Sequence, residues 1–96
     1  MTPAAFKQSV ANATPPEGVA EPVAALWWAA KGDWEKAHAI VMKDEGSDAA
    51  WVHAYLHRVE GDLPNAGYWY RTAGKPVVRG ALDDEWTAIV ADLLAR

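Results

Sequence analysis

Three histidines and a glutamate are the residues best suited to metal chemistry in this 96-residue chain. His53 and His57 are four residues apart, and Glu60 follows three residues later. On one helix, this spacing places two imidazoles and a carboxylate on the same side, where they could bind a metal ion. His38 lies one predicted hairpin earlier and could add a third imidazole. The alternative is two ordinary helix histidines, one packed and hydrogen-bonded and the other paired with a carboxylate.

The sequence contains no other arrangement that is typical of an active site. The chain has no cysteine, which excludes a thiol nucleophile, a cysteine zinc site and a disulfide framework. It also lacks a His-Glu-x-x-His motif and a glycine-rich phosphate loop. Asp33 and Asp62 follow glycines at predicted turns, so we expect them to be helix caps rather than general acids or bases. We therefore expect a non-enzymatic protein without a cofactor.

Aromatic residues are the most unusual feature of the composition, since the chain contains six tryptophans. Trp51 and Tyr55 share a helix face, Arg58 follows them, and Trp69 lies on the next predicted helix. Exposed tryptophan and tyrosine side chains in one patch are typical of protein interfaces. The alternative is that these large side chains belong to a core that packs on both sides of the helices. We predict partner binding through Trp51, Tyr55, Arg58 and Trp69.

Charge and hydropathy limit the classes of partner. The formal net charge is −4 and the isoelectric point is about 5.2, which disfavours binding to nucleic acid. No apolar run approaches the roughly 20 residues of a membrane span, and the first residues do not resemble a signal peptide. We expect a soluble cytoplasmic protein with no nucleic-acid or membrane partner.

One segment is basic although the whole chain is acidic. Arg58, Arg71 and Arg79 could form a patch that binds an acidic partner or a phosphate, and the alternative is a solvated surface. The acidic residues in the range 17–48 carry the opposite charge, so self-association into a homodimer is also open.

Glycine and proline divide the chain into five to six predicted helices. The first is short, with Thr2 as its cap, and we predict Ser47 or Asp48 as the cap of the fourth. The last helix has a single apolar stripe, formed by Leu82, Trp86, Ile89, Val90, Leu93 and Leu94. After the short first helix, the predicted ranges are 19–31, 34–43, 63–73 and 82–95, and the fourth helix follows its Ser47 or Asp48 cap and ends at Glu60.

The two halves of the chain repeat one pattern with an offset of 29 residues. Gly32-Asp33 aligns with Gly61-Asp62, and each pair separates two predicted helices. A glycine that ends one helix and an aspartate that caps the next produce a tight antiparallel hairpin. Repeated hairpins of this length are typical of stacked helical repeats, in which neighbouring units bury one another's apolar faces.

Segments 32–37 and 61–66 resemble the turn of a tetratricopeptide (TPR) repeat, and segment 66–74 resembles the second helix of a TPR or Sel1-like repeat. The resemblance implies an all-α fold with one domain over residues 1–96. Its units would be 18–46 and 47–76, with an N-terminal segment and an amphipathic capping helix at 82–95. It also implies a module that binds a protein or peptide on a concave face formed by the first helix of each unit.

These observations predict a small non-enzymatic module that binds a protein or peptide through an aromatic face of the second hairpin. The alternative is a metal-binding protein or metal-dependent enzyme that uses His53, His57 and Glu60. A third possibility is a small ligand in an aromatic-lined cleft between the hairpins.

Overall fold

The computed structural model describes all 96 residues and contains six α-helices and no strand, which confirms the predicted all-α fold. None of the helices combines the length and the apolar character that crossing a bilayer requires. A 3₁₀ turn at Ser9–Ala11 follows the first helix. The helices are α1 Pro3–Gln8, α2 Glu21–Ala30, α3 Trp34–Met42, α4 Ser47–Glu60, α5 Leu63–Ala73 and α6 Leu82–Leu94.

The two interhelical turns at the repeated Gly-Asp pairs have the same geometry. Gly32 and Gly61 adopt φ angles of +90° and +85°, in the left-handed region that glycine tolerates best. In each turn the following aspartate, Asp33 or Asp62, donates its N–H to the carbonyl five residues back, at 2.9 Å. Its carboxylate accepts the N–H three residues further on, at 3.1 and 3.3 Å respectively. The repeated sequence therefore produces two equivalent hairpins, α2–α3 and α4–α5.

Helix α4 is the central element, since it contacts α2, α3, α5 and α6. Four alanines in equivalent positions of the two hairpins are buried, as expected for helices that approach closely. They are Ala25, Ala37, Ala54 and Ala66. These small residues allow close packing of the helices, and α4 contacts helices of both hairpins and α6.

Helix α6 packs on α2 and α4, and α1 packs on α6. Trp86 donates its indole N–H to the carbonyl of Leu26 at 2.9 Å, and its ring stacks on Phe6. Ile89 and Val90 are fully buried, whereas Leu82 at the start of the predicted stripe is exposed. The last helix therefore covers the side on which the first helices of both hairpins meet.

The start of α4 differs from the prediction by one position. Gly46 precedes the helix in an extended conformation, and neither Ser47 nor Asp48 caps it. The N–H of Gly46 donates to the carboxylate of Asp44 at 2.8 Å. This local turn holds Gly46 outside the helix and makes Ser47 the first helical residue.

Candidate metal centre

Helices α3 and α4 bring all three histidines of the chain into one cluster. His53 and His57 lie on successive turns of α4, and His38 reaches them from α3. The Nε2 atoms of His38 and His53 are 3.0 Å apart. One ring nitrogen from each histidine lies within 4.8 Å of the other two. The predicted pair on α4 is thus completed by an imidazole from the preceding helix.

Two tryptophans hold two of these rings in place. Trp34 stacks on His38 with a centroid distance of 4.5 Å, and Trp69 stacks on His53 at 3.9 Å. The indole N–H of Trp34 donates to the carbonyl of Leu56 at 2.7 Å, which anchors this ring to α4. The stacking restricts rotation of both imidazoles and pre-orients their nitrogens.

The third ring is oriented by hydrogen bonds. Nδ1 of His57 donates to a carboxylate oxygen of Glu60 at 2.6 Å. Nε2 then carries the lone pair, which accepts from the side-chain amide of Asn65 at 3.3 Å. A carboxylate that holds one nitrogen of a histidine while the other nitrogen binds the ion is a common arrangement around protein-bound metals. The spacing in the sequence made Glu60 a candidate metal ligand together with His53 and His57. In the structure, its carboxylate accepts a hydrogen bond from His57 and orients that ring.

Burial favours the neutral form of two of the three histidines, His38 and His53. The exposed fractions of His53 and His57 are 4% and 5%. Burial, with smaller contributions from His57 and His38, lowers the pKa of His53 to about 4. Burial and His57 also lower the pKa of His38, although Glu60 and Glu35 oppose this shift. Neutral imidazole is the form that binds metal ions.

The ring of His53 also has an unpaired nitrogen. Its Nδ1 is buried and has no hydrogen-bond partner. Leaving a buried polar group unpaired costs about 1–3 kcal/mol, so an arrangement of this kind calls for a functional explanation.

A cleft leads to the cluster from an acidic part of the surface. Its volume is about 450 Å³, and His53 and Trp69 form part of its wall. Asp44 and Glu45 also line it, and no lysine or arginine does. The negative charge of this cleft favours the approach of a cation.

The predicted partner-binding residues occupy different environments. Tyr55 has an exposed fraction of only 7%, and Arg58 forms an ion pair with the buried Glu85 at 2.6 Å. Trp51 is half-buried, with the Lys75 ammonium 4.1 Å from its ring centroid. Tyr55 and Arg58 therefore make internal contacts close to α6, whereas Trp51 retains exposed surface. Trp69 is also half-buried.

Sequence reasoning overlooked two residues of the cluster, Trp34 and Asn65. A usable signal for Trp34 was present, because it lies four residues before His38 and therefore on the same helix face. Asn65 gave no such signal, since its contact with His57 joins different helices across a turn.

Comparison with protein-family models, with curated proteins and with solved structures finds no match to this chain. The TPR resemblance therefore rests on the two Gly-Asp turns and on the segment after the second turn.

Proposed function

We propose that this protein binds a divalent transition-metal ion, with zinc as the best fit, through His38, His53 and His57. The observation that carries the proposal is the convergence of three ring nitrogens from two helices within 4.8 Å. Tetrahedral zinc with bonds of 2.0–2.1 Å holds its ligand nitrogens about 3.3 Å apart. The 3.0 Å separation between His38 and His53 is close to this value.

The three histidine ligands support a site with one coordination position left for water or another ligand, rather than a structural site with four protein ligands. Three neutral imidazoles suit zinc, copper and nickel, and the chain offers no thiolate. Zinc sites with three protein ligands generally keep a fourth position for water or another ligand, whereas structural sites use four. We assign metal binding to the cluster and no reaction.

Competition against a chromophoric zinc chelator tests the proposal on untagged protein. We expect one zinc ion per chain, and we expect His38→Gln and His53→Gln each to weaken binding by at least about tenfold. Glu17→Gln is the control, because it alters an exposed side chain outside the histidine cluster and its cleft. Circular dichroism verifies that each variant is folded. Equal zinc affinity in the histidine variants and the control would overturn the proposal.

Binding of a protein or peptide is a second proposal, supported by the half-exposed ring of Trp51 and by exposed apolar side chains on and after α5. The exposed fractions of Leu63 and Tyr68 are 63% and 53%. Affinity capture with mass spectrometry should find a partner that is lost with Trp51→Ala and kept with Lys43→Gln. A set of captured proteins that is the same for both variants would remove Trp51 from the proposed interface.

A further inference from the structure

A second cleft, distinct from the one at the histidines, lies between α5 and the segment that precedes α6. Its volume is about 540 Å³, within the range of small-molecule sites. All three arginines of the basic segment contribute to its wall, and none of its lining residues is acidic. The fold therefore concentrates positive charge in one concavity of a protein whose net charge is −4.

The three guanidinium groups differ in their partners. Arg58 is held in place, since it donates to Glu85 and to the carbonyl of Gly80. Arg71 and Arg79 form no ion pair and no side-chain hydrogen bond within the chain. Two like charges that line one cleft without a counter-ion repel each other, and a bound anion would offset this repulsion.

Apolar side chains stand beside these charges. Leu63 and Val77 line the same cleft, and their exposed fractions are 63% and 52%. Single exposed apolar residues are common on protein surfaces. Here, however, they share one concavity with two unpaired guanidinium groups, so the cleft offers both a charged and an apolar contact surface.

We infer that this cleft binds a phosphate monoester whose phosphate is attached to an apolar organic group. A phosphate monoester carries a charge of about −1.5 to −2 near pH 7, which matches two unpaired guanidinium groups. Arginine also presents a planar set of donors that fits phosphate oxygens in pairs. Arg71 and Arg79 bind the phosphate, and Leu63 and Val77 contact the organic group. This inference is independent of zinc binding at the histidines.

A nuclear magnetic resonance titration of the metal-free protein with phenyl phosphate at low salt tests the inference. We expect saturable shifts of backbone amides in segments 63–67 and 77–80. Phenol, which lacks the charge, and inorganic phosphate, which lacks the ring, should each bind at least about tenfold more weakly.

Matched variants identify the side chains responsible. Arg71→Gln and Arg79→Gln should each weaken phenyl phosphate binding by about tenfold or more. Lys43→Gln removes the same charge from the residue that follows α3, outside the cleft, and should leave binding unchanged. Both arginine variants should fold normally, because neither side chain makes an internal hydrogen bond. Equal binding by all three variants, equal binding of phenol, or the absence of saturable shifts would overturn the inference.

Discussion

The ring nitrogens of the histidines differ in whether they have hydrogen-bond partners. Both nitrogens of His57 have partners, Glu60 and Asn65, whereas Nδ1 of His53 has none. Buried polar groups in folded proteins are normally paired, and exceptions concentrate at functional sites. At the scale of single residues, His53 is therefore the histidine of the cluster with a buried ring nitrogen that lacks a partner.

Glu60→Gln tests whether this carboxylate supports a metal ligand. The substitution keeps the shape of the side chain but weakens its bond to Nδ1 of His57, which lowers the basicity of Nε2. We expect zinc affinity to fall by about 10–100-fold in chelator competition, with the fold unchanged. An affinity equal to that of Glu17→Gln would mean that Glu60 is only a surface residue.

Because the side chain of Tyr55 is buried, we expect the folded state to lose stability at alkaline pH. Burial, followed by the charges of Asp83 and Glu85, raises the pKa of Tyr55 to about 12, although Arg58 opposes the shift. Because the folded-state pKa is above the unfolded value, this stabilisation is complete below pH 10 and is lost as the pH rises towards 12. Each unit of pKa difference corresponds to about 1.4 kcal/mol.

Urea denaturation at a series of pH values measures this effect. In Tyr55→Phe, the free energy of unfolding should fall less steeply between pH 10 and 12 than in the wild type. Identical pH dependence in the two proteins would contradict the assigned burial of the Tyr55 hydroxyl.

At the scale of elements, most helix ends were predictable because their causes are local. Asp62 and Gly74 enclose α5 as the sequence predicts, through a side-chain cap and a left-handed glycine. Local signals did not predict that His38 contacts the two histidines of α4. They also did not predict where α6 packs. Both depend on packing between distant segments, which no local spacing encodes. The cap of α4 was wrongly assigned to Ser47 or Asp48, because the carboxylate of Asp44 determines the local turn at Gly46.

Substitution of the turn glycines tests the equivalence of the hairpins. A Cβ at Gly32 or Gly61 would meet no atom within 4 Å, so the cost arises from the backbone conformation alone. We expect Gly32→Ala and Gly61→Ala each to lower the free energy of unfolding by about 1–2 kcal/mol.

Gly80→Ala is the matched control for these two variants. Gly80 has equally open surroundings, and its φ angle is not positive. We expect the control to be neutral or slightly stabilising in urea denaturation. A loss of stability equal to that of the turn variants would show that the left-handed conformation is not the cause.

At the scale of the whole molecule, the position of α6 limits which surfaces of the two hairpins a partner can reach. The TPR resemblance implies a binding face on the first helices of the hairpins, α2 and α4, and this is the side on which α6 packs. Glu85 on α6 binds Arg58 of α4 and accepts a hydrogen bond from Tyr70 of α5, so one buried carboxylate connects three helices. A partner would thus meet α5, the loops and the exposed edge of α4 at Trp51 more readily than the face of α2 and α4 that α6 covers.

The two clefts on the surface differ in the charge of the residues that line them. The cleft beside His53 is lined by Asp44 and Glu45, whereas the second cleft contains three arginines. A cation and an anion could therefore bind to the same small protein at separate places. The proposed zinc site occupies the first of these places.

Imidazole nitrogen shifts, measured by magnetic resonance on ¹⁵N-labelled protein during zinc addition, test this claim most directly. The account predicts that one ring nitrogen each of His38, His53 and His57 shifts together and reaches completion at a single equivalent of zinc. Nδ1 of His57 should stay protonated, because it donates to Glu60. Ring nitrogens that do not respond to zinc, or that respond independently of one another, would contradict the account.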